Sequence, residues 1–264
     1  MKQRLIHERG RFFRLATIRS IIHRNKCLSG SFQRAPIRLL GILAVTFVLS
    51  SSITQTRGVE TAAPPAKEIL DHARLRQSLQ ELDLEGQLRS GAIVIPFRIT
   101  QTGPIIRYTF TNPDEVLQLR LEENGSRLDL VKENGTEKFA SSRLDQKIRG
   151  TGVSYEDLAL KFLYWPNTRV TGEDAVRTRR CWKLQLQPAA HQSQYSNVLL
   201  WVDKESGALM RLEGYDWKGK LAKRFEVISA QKIDDRWFLK QMRIEEIEPA
   251  TNNVRSRTYL EIKK

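Results

Sequence analysis

Cysteine is almost missing from this chain of 264 residues: only Cys27 and Cys181 occur. Cys27 lies in a basic N-terminal stretch, so Cys181 is the single thiol of the remainder. An internal disulfide is therefore excluded there, and that part must hold together by its core. Histidine is equally sparse, with His7 and His23 in the same basic stretch, His72 in a predicted helix and His191 in the loop "PAAHQSQYS". No HxxxH, HxH or CxxC pair exists, so no metal-ligand constellation can be drawn. GxSxG, P-loop and GxGxxG motifs are absent as well. Cys181 alternates with Trp182 in a predicted strand, where a buried inert thiol is expected rather than a nucleophile paired with His191. The acid pairs Asp234-Asp235 and Glu245-Glu246 fall at turns or strand edges and read as solvated charge. No catalytic residue, cofactor or metal ligand is assigned, and the chain is read as a non-enzyme.

Long hydrophobic runs are also lacking. The longest is "LLGILAVTFVL", Leu39 to Leu49, extendable to Ile53. It falls short of the ~20 apolar residues that span a bilayer and suits the h-region of a signal peptide. Residues 1–58 are read as a long basic leader with its h-region at 39–53, residues 59–66 as a linker, and residues 67–264 as one folded domain. The expected location is the periplasm, reached by export and cleavage. The alternative is an uncleaved inner-membrane anchor with its N-terminus inside. No Cys stands directly after the h-region, where "SSS" occurs, so lipidation is not expected. The formal charge of +14 is concentrated in the leader, which holds eleven of the 44 Lys and Arg and one acid, Glu8. The remainder carries a net +4, which argues against nucleic acid as a partner.

What is present is period-two alternation. A helix is predicted over Ala66 to Leu82, with Leu75, Leu79 and Leu82 on one face and Ile69, Leu70 and Ala73 widening it. Strands then follow in series: "LEGQLRSG", "AIVIPFRITQ", "IIRYTFTN", "EVLQLRLEENG", "SRLDLVKENG" and a short piece near Lys138. Asn124-Gly125 and Asn134-Gly135 are hairpin signals. "SYEDLALKFLYW" is a second predicted helix, N-capped by Ser154 with Asp157 three residues on and stopped by Pro166. Strands resume with "VRTRRCWKLQLQP" and continue to the end of the sequence. The expected fold is mainly β (α+β): about eleven antiparallel strands in an incomplete barrel, a curved sheet with helices packed on its concave side.

The hairpin "LLWVDKESGALMRLEGYDWKGK", Leu199 to Lys220, is apolar on both faces. A strand with one wet face alternates apolar with polar, so something must cover the second side. A curled sheet encloses a concave space that two short helices fill only in part. Leu158, Phe162, Leu163 and Trp165 on the second helix are candidate lid residues over that space. Trp182, Trp201, Met210, Trp217, Phe225 and Met242 on the C-terminal strands are candidate lining. Plain core packing is the alternative for each of them singly. Aromatic and Met linings suit a flexible apolar ligand.

The segments "YEDLALKFLYWPN", "LLWVDKESGALMRLEGYDWKGKLAKRFEV" and "RWFLKQMRIE" resemble the outer-membrane lipoprotein-sorting family, the LolA-like carriers, in the branch found in bacteria such as Verrucomicrobia and Planctomycetes. The resemblance spans about Ala66 to Lys264. It implies a LolA/LolB-like half-barrel closed by a helical lid, acting as a monomer. It further implies an acylated lipoprotein or lipid as cargo, an inner-membrane donor and an outer-membrane acceptor. The lid-locking arginine of that family has no match to any one Arg here. A periplasmic sensor of the RseB type, binding protein or lipid, and a non-transporting structural envelope protein are the alternatives.

Overall fold

A β-strand buries only alternate side chains, so a chain of alternating strands needs a partner layer on one face. The computed structural model describes residues 63–78, 81–233 and 236–263, and the partner layer there is short and helical. The leader and the signal-peptide h-region lie outside the described residues. Helix α1, Ala66–Ser78, is shorter than the sequence suggests. Its buried face is Ala66, Ile69, Leu70 and Ala73, spaced i, i+3, i+4, i+7 as an amphipathic helix requires. Leu75 is 54% exposed and Leu82 already belongs to the first strand, so the face predicted through these two is corrected to this one; Leu79 lies outside the described residues.

The strands are β1 (Glu81–Ser90), β2 (Ile93–Thr102), β3 (Ile105–Phe110), β4 (Glu115–Leu121), β5 (Ser126–Lys132) and β6 (Gly135–Lys138). After a helical passage come β7 (Asn167–Val176), β8 (Arg179–Gln187), β9 (Asn197–Asp203) and β10 (Leu209–Tyr215). The series closes with β11 (Leu221–Ile233), β12 (Arg236–Ile247) and β13 (Val254–Lys263). All pair antiparallel in one 13-stranded sheet of order β6-β5-β4-β3-β2-β1-β13-β12-β11-β10-β9-β8-β7. The sheet is thus an open meander in which β1 and β13 pair in the middle, and β6 and β7 form the two edges. Thirteen strands replace the expected eleven, chiefly because β7 escapes the alternation rule. "NTRVTGEDAV" is mostly polar and exposed, with only Val170 and Val176 turned into packed clusters, as an edge strand protected against further pairing tends to be.

The two faces are built differently. On the concave side, where the helices lie, Val170, Leu184, Leu200, Leu212, Phe225, Ile244 and Thr258 stand in register across seven strands. On the convex side the matching row reads Lys183, Trp201, Arg211, Glu226, Arg243, Tyr259 and Arg89. That row answers what covers the second face of the apolar hairpin. Trp201 is 3% exposed, with the Lys183 ammonium 4.9 Å and the Arg211 guanidinium 5.4 Å from its ring centre. Its indole N–H donates to Asp174 at 2.9 Å. Long cationic stems on neighbouring strands cover the ring while their charged heads stay wet. The Arg211 head is paired in turn with Glu226 at 2.7 Å, and on the same face Arg224 pairs with Glu213 at 2.8 Å.

Candidate functional site

Because β6 and β7 are opposite edges, the chain between them, residues 139–166, has to cross the concave face. This passage holds helix α2, Tyr155–Ala159, and a 3₁₀ turn over Lys161–Tyr164. The Ser154 cap read from the sequence is formed, as a reciprocal capping box: the Ser154 N–H donates to Asp157 at 2.7 Å and the Asp157 N–H to the Ser154 hydroxyl at 3.3 Å. The single helix predicted up to Trp165 is corrected to two pieces, broken at Leu160, whose φ of 51° turns the chain left-handed.

The passage is fixed to the sheet at several points. Lys147 pairs with Glu246 at 2.6 Å, the Gly152 N–H donates to Thr258 at 2.8 Å, and Tyr155 donates to Glu115 at 3.1 Å. Arg149 donates to the carbonyls of Thr111 and Pro113, each at 2.5 Å, beyond the end of β3. Most telling is Lys223 on β11, whose ammonium meets Asp157 at 2.7 Å with both side chains under a tenth exposed. The Tyr195 hydroxyl donates to the other oxygen of Asp157 at 2.7 Å. Burial, and then the Asp157 charge, hold the Tyr195 hydroxyl well above its ordinary pKa.

Packing divides the concave side in two. Around α1, the 3₁₀ turn and β8–β10, Phe162 and Leu163 are buried, with Trp165 and Trp182 partly buried against them. Around β1–β5, β12 and β13 a second cluster buries Phe97, Phe110, Leu117, Leu119, Ile148 and Ala159. Phe225 packs against both clusters. Against the second cluster Leu84, Ile99, Tyr108, Met242 and Leu260 of the sheet pack half-buried, as do Phe225 and, from the passage, Leu158 and Leu160. This apolar strip is the candidate trough. At one end it opens into a groove of about 430 Å³ lined by Leu82, Leu84, Gln101, Ile233, Arg236 and Phe238, a size common for small-ligand sites. Burial pushes the Tyr108 hydroxyl up to about 12, so the one polar group of the strip stays neutral.

Of the residues singled out from sequence, Leu158, Phe225 and Met242 belong to this strip. Phe162, Leu163, Trp165 and Trp182 share the neighbouring cluster. Trp201 and Met210 do not join them: they lie on the convex face with Cys181, Val176 and Leu199. Trp217 also lies apart, 42% exposed, stacked on His191 at 3.8 Å and donating to the Ser193 carbonyl at 2.9 Å. Sequence reasoning missed Leu84, Ile99, Tyr108 and Leu260. Their alternation was readable, but the β1–β13 pairing, between strands at opposite ends of the series, is what brings Leu84, Ile99 and Tyr108 to the side of Leu260 and Met242. Among the described residues no group of three or more His, Cys, Asp or Glu could hold a metal ion. No described helix is long and apolar enough to cross a membrane.

A family model described only as that of an uncharacterized protein matches residues 132–264. The chain belongs to that family. No curated protein matches it. Among solved structures, a DUF1329 family protein from Desulfovibrio piger is 21% identical, covers 76% of this chain and 92% of its own, and superposes with a TM-score of 0.58. A LolA superfamily protein from Nitrosomonas europaea is 16% identical over 76% of this chain and 93% of its own, with a TM-score of 0.56. A candidate outer membrane lipoprotein-sorting protein domain from Vibrio parahaemolyticus is 17% identical over 75% and 92%, also with a TM-score of 0.56. These likenesses show the fold: an open antiparallel half-barrel of the LolA type.

Proposed function

We propose that this chain is a periplasmic lipid carrier, holding the acyl chain of a lipid or acylated lipoprotein in the trough on its way toward the outer membrane. The observation that supports the reading is the strip of Leu84, Ile99, Tyr108, Met242 and Leu260, apolar yet only half-buried on the face that residues 139–166 cross. A sheet built only for stability has no reason to leave such a strip unfilled at its centre. Each methylene kept from water contributes ~0.8 kcal/mol, so an acyl chain of about sixteen carbons carries on the order of 12 kcal/mol. Such a chain does not cross water unaided at a useful rate. An inner-membrane donor and an outer-membrane acceptor are the partners this role calls for.

The test is mass spectrometry of the exported, purified soluble chain under native and denaturing conditions. Co-purified acyl lipid or lipoprotein in the native protein, lost in Met242→Asp, supports the carrier. Absence of lipid, together with no binding of a fluorescent fatty acid, overturns it. A second reading, a structural envelope protein filled by its own chain, draws on the full burial of Ile148, Ala159 and Leu163, side chains of the passage itself. That negative result is the outcome it anticipates.

A further inference from the structure

A second hollow, of about 170 Å³, lies at the free β6 edge where residues 139–166 begin their crossing. Its rim carries three cations, Arg127, Lys138 and Lys161, and the hydroxyl residues Ser126 and Ser141. Leu128, Phe139 and Leu144 form its floor, and all three belong to the same buried cluster that underlies the trough. Arg127 spends part of its charge on Asp129, Nε to oxygen at 2.6 Å. Among the described residues, no ion pair is formed by Lys138 or Lys161. Burial pushes the Lys161 ammonium down, and the charge of Lys138 adds to this against the opposing pull of Glu156. Two ammonium groups and a guanidinium thus converge on a hollow that contributes no carboxylate to its own lining. A cationic rim over an apolar floor is complementary to an anion with an apolar stem, whose charge it can meet with charge-assisted hydrogen bonds.

The size narrows the ligand. At about 30 Å³ per water, the hollow holds roughly five or six waters, too little for a whole acyl chain and enough for a charged end group. We infer that the hollow is a headgroup site: Lys138, Lys161 and Arg127 take a phosphate-type anion, and the Leu128, Phe139 and Leu144 floor takes the first methylenes of the chain attached to it. The inference rests on the lipid-carrier reading and names the charged end of that cargo.

The test is an NMR titration of the isotope-labelled soluble chain, once with dihexanoyl phosphatidylglycerol below its micelle concentration and once with inorganic phosphate. The lipid is expected to shift the amides of Ser126, Ser141 and Lys161, with inorganic phosphate binding at least tenfold more weakly. In Lys138→Gln/Lys161→Gln the lipid affinity falls about tenfold or more, in line with the attraction of each cation for an anionic lipid, while Lys138→Arg/Lys161→Arg keeps it. Thermal unfolding of both double variants checks that the fold is intact. Equal affinity for inorganic phosphate overturns the headgroup assignment in favour of a small-anion site. Unchanged lipid affinity in the glutamine variant overturns the site altogether. The fatty-acid assay on the same variant separates the two proposals. If it still binds the fatty acid, the carrier reading survives the loss of the headgroup site. If the wild-type chain shifts only with the short lipid and binds no fatty acid, the carrier reading falls and the anion site stands.

Discussion

Lys223 of β11 and Asp157 of α2 form a buried ion pair at 2.7 Å, 66 residues apart in sequence. It joins the first turn of α2, within the crossing passage, to the sheet, and Tyr195 closes it from the side. Removing one member of such a pair strands the other charge in a low-dielectric site, a loss of about 3–5 kcal/mol. Lys223→Met and Asp157→Asn are each expected to lower stability by about 3 kcal/mol in urea denaturation. Lys223→Met/Asp157→Leu should lose clearly less than the two added together. Additive losses would mean that the residues act separately.

The convex cover of Trp201 gives a second prediction. Arg211→Ala removes one of the two cations over the ring and the partner of Glu226. A cost of about 1 kcal/mol is expected, read as a drop of roughly 2–4 °C in the thermal midpoint for a domain of this size. In a double-mutant cycle with Trp201→Leu, a coupling energy of zero would refute the role of Arg211 as cover.

Acid sensitivity is expected from Glu261. It accepts from Arg89 at 2.7 Å, Gln87 at 2.6 Å and Gln241 at 3.1 Å, and the Arg89 bond foremost lowers its pKa from 4.5 to about 2. A carboxylate depressed in the folded state contributes stability above its unfolded pKa and loses it as pH falls through the folded value. The window is therefore between about 4.5 and 2. After discounting for solvent screening the contribution is on the order of 1–2 kcal/mol. Glu261→Gln should flatten the acid limb of the stability–pH curve across that window, and an unchanged limb would count against it.

Gly214 allows Tyr195 to lie on the sheet. A Cβ there would stand 2.4 Å from Cε1 and 2.6 Å from Cδ1 of the Tyr195 ring, and Tyr195 is itself 3% exposed. Gly214→Ala must displace the ring and with it the hydrogen bond to Asp157. The expected cost is about 2–3 kcal/mol of overpacking, measured by chemical denaturation. A smaller effect would indicate that the ring moves freely.

Much of this architecture is legible in the residues. The Asn-Gly turns, the Ser154 cap, the stop at Pro166 and the mainly antiparallel series all follow from local chemistry. What escapes is whatever depends on register between distant strands. Trp201 reads as cavity lining because its neighbours in sequence are apolar, but its cover comes from Lys183 and Arg211 on adjoining strands. Leu75 reads as buried because it continues a leucine repeat, while the helix turns its Ile69–Leu70–Ala73 side inward. β7 is hidden because an edge strand needs no apolar face. Leu160 gives no warning of a left-handed turn, a conformation usually left to glycine.

The sheet order has a consequence for how the molecule comes together. Among the described strands, every pairing but one joins neighbours along the chain; the exception is β1 with β13, where partners such as Gln87 and Glu261 are 174 residues apart. Each half can zip up as a local meander, but uniting them requires the longest loop closure in the molecule, the kind of contact that slows folding. While the chain is being made, β1 waits with one side unpaired until the last strand emerges. A chain lacking β13 would be left as two separate ribbons, tied only by the segment that should have bridged a finished half-barrel.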